Sequence, residues 1–367
     1  MPVSAVDCIQ PAIQHAREQL FKPFRWGQWF RLALVGILAV ELHSGGCNFG
    51  NFHVPVPHPR RVGNGFLASA FPHIDPSRIA QFAGLIVAAI LLGMILFFVF
   101  LYISSIFRFI LFDSVLRRQC AIGEGWSRWR RAGRRFFLWQ LVFQISVGLF
   151  FVFLAGIALA VAAAAGWIHD PGQHVVSMVA GVVLLIGVVL IFVLAAVAVQ
   201  VLAKDFLVPL MALENLDFAD GWSRLLAMIR PEPGKYAVYL LLKLVLAIAA
   251  AILFGLISII PVLVLVMPGV VVVLLGHAAG LGWNVTTVSL AVIFGTLLVL
   301  ALIYVIAWVS VPATVFFPAY SIYFFASRYP NLDALLHPAP PAPESPPLPE
   351  SPPPEIPPLP PAPEPIG

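Results

Sequence analysis

The run from Val175 to Ala203, VVSMVAGVVLLIGVVLIFVLAAVAVQVLA, decides the fold class of this chain. Its 29 residues carry no charge, and apolar side chains fall on every face rather than at alternate positions. A helix of about 20 residues crosses a hydrocarbon layer of about 30 Å. A helix that is apolar all round has no face to give to water, so its solvent is lipid or a large core. The strands of a membrane barrel are shorter, about 9–11 residues, and alternate in polarity.

Five further runs read the same way, which places spans at 29–44, 79–112, 136–165, 175–203, 236–267 and 285–311. The first is short. The second exceeds the hydrocarbon thickness and must tilt or protrude. Within 260–282, Pro261 and the pair Pro268-Gly269 interrupt apolar text. That stretch reads either as a kinked fifth helix followed by a short helix or loop, or as a re-entrant hairpin.

The composition of the 367 residues agrees: 60% are hydrophobic and 10% charged, with mean hydropathy +0.96. A soluble domain has about 45–50% apolar and about 25% charged residues. A soluble enzyme, an extended coiled coil and a wholly disordered chain are excluded. The expected fold is all-α: a polytopic helical membrane protein with about six transmembrane helices in three hairpins and interfacial amphipathic helices, over residues 1–335. Residues 336–367 form a separate tail. From Pro338 to Gly367, 16 of 30 residues are proline, a composition that forms no core and favours extended, disordered polyproline II.

Lysine and arginine set the expected orientation. With a cytoplasmic N-terminus, only Arg60, Arg61 and Arg78 of the 21 basic residues fall outside. Both termini are therefore expected in the cytoplasm, with the protein in the plasma (inner) membrane of a bacterium. The first 24 residues do not read as a cleavable signal peptide, and Cys8, Cys47 and Cys120 have no paired spacing.

Gly125-Trp126-Ser127-Arg128 recurs as Gly221-Trp222-Ser223-Arg224, 96 positions on, each after an acid (Glu124 and Asp220). With a looser N-terminal counterpart around Lys22, Arg25, Trp26 and Trp29, the chain reads as three units of about 100 residues, a length that suits duplication of a membrane module rather than a solenoid. The second unit opens on Trp and Arg text, in which Trp126 and Trp129 share one helical face with Gly133 and Phe136, and Arg128, Arg131 and Arg135 share another. Indole rings settle at headgroup level and guanidinium groups bind phosphate bidentately. Trp126, Arg128, Trp129, Arg131, Arg135, Trp222 and Arg224 are thus candidate contacts to lipid headgroups, anionic ones in particular, on helices lying in the leaflet plane. The alternative is a plain topology anchor.

Other constellations carry less. Lys243 stands about two turns into the fifth span and can snorkel to the inner face. Gln140 and Gln144, one turn apart, suit hydrogen bonds between helices. His43, Cys47 and His53 match no zinc spacing. Glu214, Asp217 and Asp220 suit the start of a helix. Nucleophile-elbow, phosphate-loop, metalloprotease and C-x-x-C signatures are missing. No enzyme activity, catalytic residue, cofactor, metal or nucleic-acid partner is expected.

The text Asp205-Phe206-Leu207-Val208-Pro209-Leu210-Met211-Ala212-Leu213, followed by Gly221-Trp222-Ser223-Arg224, resembles the central motif of a bacterial family of uncharacterised multi-pass membrane proteins. Phe316-Phe317-Pro318-Ala319-Tyr320 with Phe324 looks like its last segment, and Phe21-Lys22-Pro23-Phe24-Arg25 like its start. More distantly, the layout is similar to the membrane region of some glycerophosphodiester phosphodiesterases, whose catalytic barrel has no counterpart here. The resemblance implies fold and location. The expectation for function is a non-enzymatic scaffold or structural membrane component whose cytoplasmic proline-rich tail recruits a protein partner. The alternative is a lipid or small-solute transporter.

Overall fold

A computed structural model describes residues 4–39, 76–167, 174–278 and 285–337, and among them every regular element is a helix. Two short helices open the chain, α1 (Ile9–Phe21) and α2 (Trp26–Leu38). Two long ones follow, α3 (Pro76–Leu116) and α4 (Ile122–Ala164). Next, α5 (Val175–Leu202) runs through a π-helical turn at Ala203–Leu207 into α6 (Val208–Glu214). The amphipathic α7 (Phe218–Ile229) precedes the longest helix, α8 (Pro233–Ala278). Then come α9 (Val285–Val309), α10 (Val311–Ala326) and the short, seven-residue α11 (Pro330–Leu336).

Five stretches are long and apolar enough to cross a membrane: Val87–Leu116, Ile122–Ala164, Val175–Glu214, Pro233–Gly276 and Thr286–Val309. They correspond to the second to sixth expected spans. The first expected span meets only α2 and Ala39 among the described residues; its remainder, with the His43–His53 cluster, lies outside them, as does the tail 338–367.

Burial divides the molecule into two parts. The spans are open to their surroundings: Val152, Leu184, Ile191 and Val264 are each 70% or 71% exposed. Such surface is stable only in hydrocarbon. The buried residues instead gather at one end, called the base below. It unites α1, α2, the last turns of α3, the first turns of α4, the π turn with α6, α7, the start of α8, the end of α9, and α10 with α11. Phe109, Phe136, Phe206, Phe324 and Phe325 are fully buried there. Each such side chain contributes about 1.5–3 kcal/mol relative to leaving it in water. Trp26 stacks on Trp308 at 5.9 Å, and Trp29 lies 5.2 Å from the same ring, so the ends of α2 and α9 carry an indole belt of the kind that marks a membrane–water boundary.

One expectation changes, and one open alternative narrows. The Trp and Arg segment does not lie apart in the leaflet plane; it forms the first turns of α4, continuous with the span that follows. No glycine or proline separates Arg134 from Leu138, so nothing in the sequence ends the helix there. Helix α8 also continues through Pro261 and Pro268 to Ala278, which leaves the kinked-helix reading for the described part of 260–282. Proline is tolerated inside membrane helices because neighbouring groups satisfy the freed carbonyls.

Candidate functional site

At the centre of the base the chain buries a charged cluster. The π turn places Asp205 there, and its local cause is Pro209. Proline has no N–H, so the Asp205 carbonyl lacks its i+4 donor. The helix widens by one residue instead, and the Val208 N–H bonds back to the Ala203 carbonyl. Asp205 is 7% exposed. Its Oδ2 accepts from Tyr239 Oη at 2.8 Å, and both carboxylate oxygens accept from Lys243 Nζ, at 2.7 and 2.6 Å. Tyr239 and Lys243 stand one turn apart on α8. Behind them Tyr239 stacks on Tyr320 at 5.1 Å and on Phe324 at 4.5 Å. Lys243 therefore turns inward to a carboxylate rather than snorkelling.

A second cation approaches from α3. Arg108, 6% exposed, donates to the Ala39 carbonyl and to Gln140 Oε1, each at 3.4 Å, and lies 5.5 Å from the centre of the Phe136 ring. Ser105 Oγ also donates to Gln140 Oε1 at 3.3 Å. Gln140 thus links α3 to α4, whereas Gln144 is exposed. Arg108, Lys204, Asp205, Lys243, Phe317 and Ser321 line a small cavity of about 30 Å³, room for about one water. Buried charges at the edge of an apolar layer are costly and mark candidate sites of function. Sequence reading picked out Lys243 alone and Gln140 apart from it. What it missed was Asp205 and Tyr239, whose signal was an acid beside Lys204 at a span's end with a proline four residues on.

A second feature lies on the surface of the base. A groove of about 420 Å³ runs between α4 and α6, lined by Ser127, Arg128, Trp129, Arg131, Met211 and Asn215 among others. Of the seven candidate headgroup contacts, Arg128, Trp129 and Arg131 meet here. The other four are placed elsewhere. Trp126 is half-buried, with its ring 6.0 Å from Phe107. Arg135 is engaged by Asp217 at 2.9 Å and by the Asn215 carbonyl at 3.0 Å. Arg224 pairs with Glu214 at 3.0 Å, and Trp222 lies against Phe218.

The recurring tetrapeptides occupy matching places. Gly125 and Gly221 are each the fourth residue of their helix, and each is buried. A Cβ on Gly125 would come within 3.1 Å of Ile110, and one on Gly221 within 2.8 Å of Leu207. Ser127 and Ser223 each donate to the carbonyl of the preceding acid, Glu124 or Asp220. The acids of the second copy serve helix starts and ion pairs. Asp217 precedes α7, Asp220 lies in its first turn, and Glu214 accepts from Tyr329 Oη at 2.6 Å. Among the described residues no group of three or more His, Cys, Asp or Glu side chains could hold a metal ion.

Compared with known proteins, residues 3–335 match a family of unknown function (DUF7544). No curated protein matches, and no solved structure matches. The match covers the stretch that resembled an uncharacterised membrane family. It carries no sign of a bacterial source or of likeness to glycerophosphodiester phosphodiesterases.

Proposed function

The chain belongs to this family of unknown function, and we propose that it is a non-enzymatic membrane scaffold: apolar helices anchor a preformed base, and the proline-rich tail recruits a protein partner beside it. The observation that carries this reading is the division of burial, with lipid-open spans at 70% or 71% exposure and a densely packed base whose fully buried residues include Tyr239, Tyr320 and Phe109. The tail leaves α11, which belongs to the base, and α1 packs there too: Tyr320 Oη donates to the Ala5 carbonyl at 3.1 Å. The base also holds most of the Lys and Arg, so we place it, and both termini, in the cytoplasm and the protein in a bacterial plasma membrane. The partner would be a domain that grips P-x-x-P segments in an aromatic groove. Cross-linking and capture with the full chain and with a chain lacking 338–367 tests the role. Loss of specific partners on deletion is expected; an unchanged set overturns recruitment.

A lipid or small-solute transporter is the second reading, favoured by the buried Asp205–Lys243 pair and Arg108 around a small cavity of mixed lining. Flux of a lipid or solute in reconstituted liposomes, lost in Lys243→Met, would support it; no flux would leave the scaffold.

A further inference from the structure

We propose that the groove between α4 and α6 is a binding site for the phosphate of an anionic glycerophospholipid, whose acyl chains run along α4. This inference needs the membrane placement but not the recruiting role of the tail.

The start of α4 carries unspent positive charge. Arg128, Arg130, Arg131 and Arg134 are exposed and crowd just under two turns of α4. Among the described residues no ion pair joins any of them to a carboxylate: Asp217 is engaged by Arg135 and Glu214 by Arg224, and the carboxylate of Glu124, one turn before Arg128, is not drawn into a pair. Like charges at i,i+3 and i,i+4 destabilise a helix. A bound anion relieves that cost.

Two of the four arginines also have a built surface. Arg128 and Arg131 line the groove, and α6 supplies its opposite wall with Met211 and Asn215. Asn215 ends α6 in the left-handed conformation, φ 53°, with its carbonyl taken by Arg135. That bond fastens the two walls together. The Arg128 guanidinium lies 5.2 Å from the Trp129 ring centre, which holds its long side chain against the groove. Trp129 is 8% exposed, and its indole N–H has no acceptor among the described residues. The groove's volume falls within the range of small-molecule sites, about 300–1,000 Å³.

The line of α4 selects a lipid over free phosphate. Arg131, Leu138, Val142, Ile145 and Leu149 follow spacings of seven, four, three and four and so form one stripe. The four apolar residues are 55%, 62%, 61% and 67% exposed. Arg131 stands seven residues before Leu138, about 10 Å along the helix. A phosphate seated on Arg128 and Arg131 therefore leaves its glycerol and chains directed along an open apolar track.

The test uses the full chain in nanodiscs of equimolar phosphatidylglycerol and phosphatidylcholine, released and weighed by native mass spectrometry. Retained phosphatidylglycerol in preference to phosphatidylcholine is expected. Arg128→Gln/Arg131→Gln should reduce it on the order of tenfold. Arg130→Gln/Arg134→Gln removes the same charge outside the groove and should reduce it less than about twofold. Leu138→Asn/Val142→Asn should weaken retention with the arginines intact. Equal loss in both arginine pairs shows diffuse attraction and overturns the site. Displacement of the lipid by millimolar inorganic phosphate shows a free-anion site and overturns it too, as does retention without preference between the two lipids. Variants that lose the wild-type elution profile are replaced by Arg128→Lys/Arg131→Lys, which keeps charge, removes bidentate geometry and should still lose selectivity.

Discussion

Asp205 accepts hydrogen bonds from Tyr239 and Lys243 on a stretch whose composition offers no other acid. Truncating it strands an ammonium and a phenol, and breaking a buried pair from one side costs about 3–5 kcal/mol. Asp205→Ala should therefore lower the unfolding temperature in detergent by many degrees, while Asp205→Leu/Lys243→Met recovers much of the loss. A double variant as unstable as the single would show that Asp205 acts through other contacts. His15 offers a test by pH, away from the spans. Its Nε2 lies 2.9 Å from the Val115 carbonyl and its Nδ1 3.4 Å from Tyr323 Oη, an arrangement that suits a neutral ring donating through Nε2 and accepting at Nδ1. Burial pushes its pKa below the ordinary 6.5. The Val115 carbonyl opposes this, Arg118 adds to it, and Glu18 opposes it weakly. The unfolded chain then binds the proton more readily than the folded one. The contribution of the neutral ring is complete above pH 6.5 and is lost as pH falls through the folded value. Thermal unfolding across this range should show wild type losing stability in acid faster than His15→Gln; parallel curves would remove His15 as the cause.

At the scale of elements, α3 and α4 cross closely because Gly133 lets them. A Cβ at that position would lie 2.6 Å from Ile106 Cγ1 and 3.0 Å from its Cα, so backbone as well as side chain must move. Overpacking of this kind costs about 1–3 kcal/mol. Gly133→Ala should lower the unfolding temperature, whereas Gly148→Ala, on the same helix with nothing within 4 Å, should leave it unchanged or raise it slightly. Equal effects would mean helix propensity alone is being measured. The contrast also marks what the sequence could disclose. Charge-free runs longer than the bilayer is thick left one solution for Val175–Ala203, so the second to sixth spans were legible, with ends that shifted. The continuity of α4 was not, because Trp and Arg text reads alike in a leaflet plane or in line with a span. The seven headgroup candidates were chosen by residue type, and type does not say that Arg135 and Arg224 have acids of their own. Asp205 was legible only once the π turn met α8, since its partners lie 34 and 38 positions away.

For the whole molecule, the decisive question is how the long helices stand relative to the base. Helix α4 has 43 residues and rises about 65 Å, longer than any bilayer core. It starts beside Gln119 in the base and ends beside Ala165, both exposed. If the spans cross and the base lies on one side, these two loops face opposite solutions. The native thiols interfere little: Cys8 and Cys120 are buried and free, burial raises both, and Cys8 is pushed up to about 11, so at neutral pH each is an unreactive thiol. In proteoliposomes carrying Cys47→Ser, a membrane-impermeant maleimide should label Gln119→Cys and Ala165→Cys in complementary fractions that sum to the whole after detergent is added. Ser4→Cys, on the segment that packs with α10, should follow Gln119→Cys, and so should His337→Cys at the end of α11. Labelling of Gln119→Cys and Ala165→Cys in equal step from one side would place both loops in the same solution, and the crossing of α4 would be lost with it.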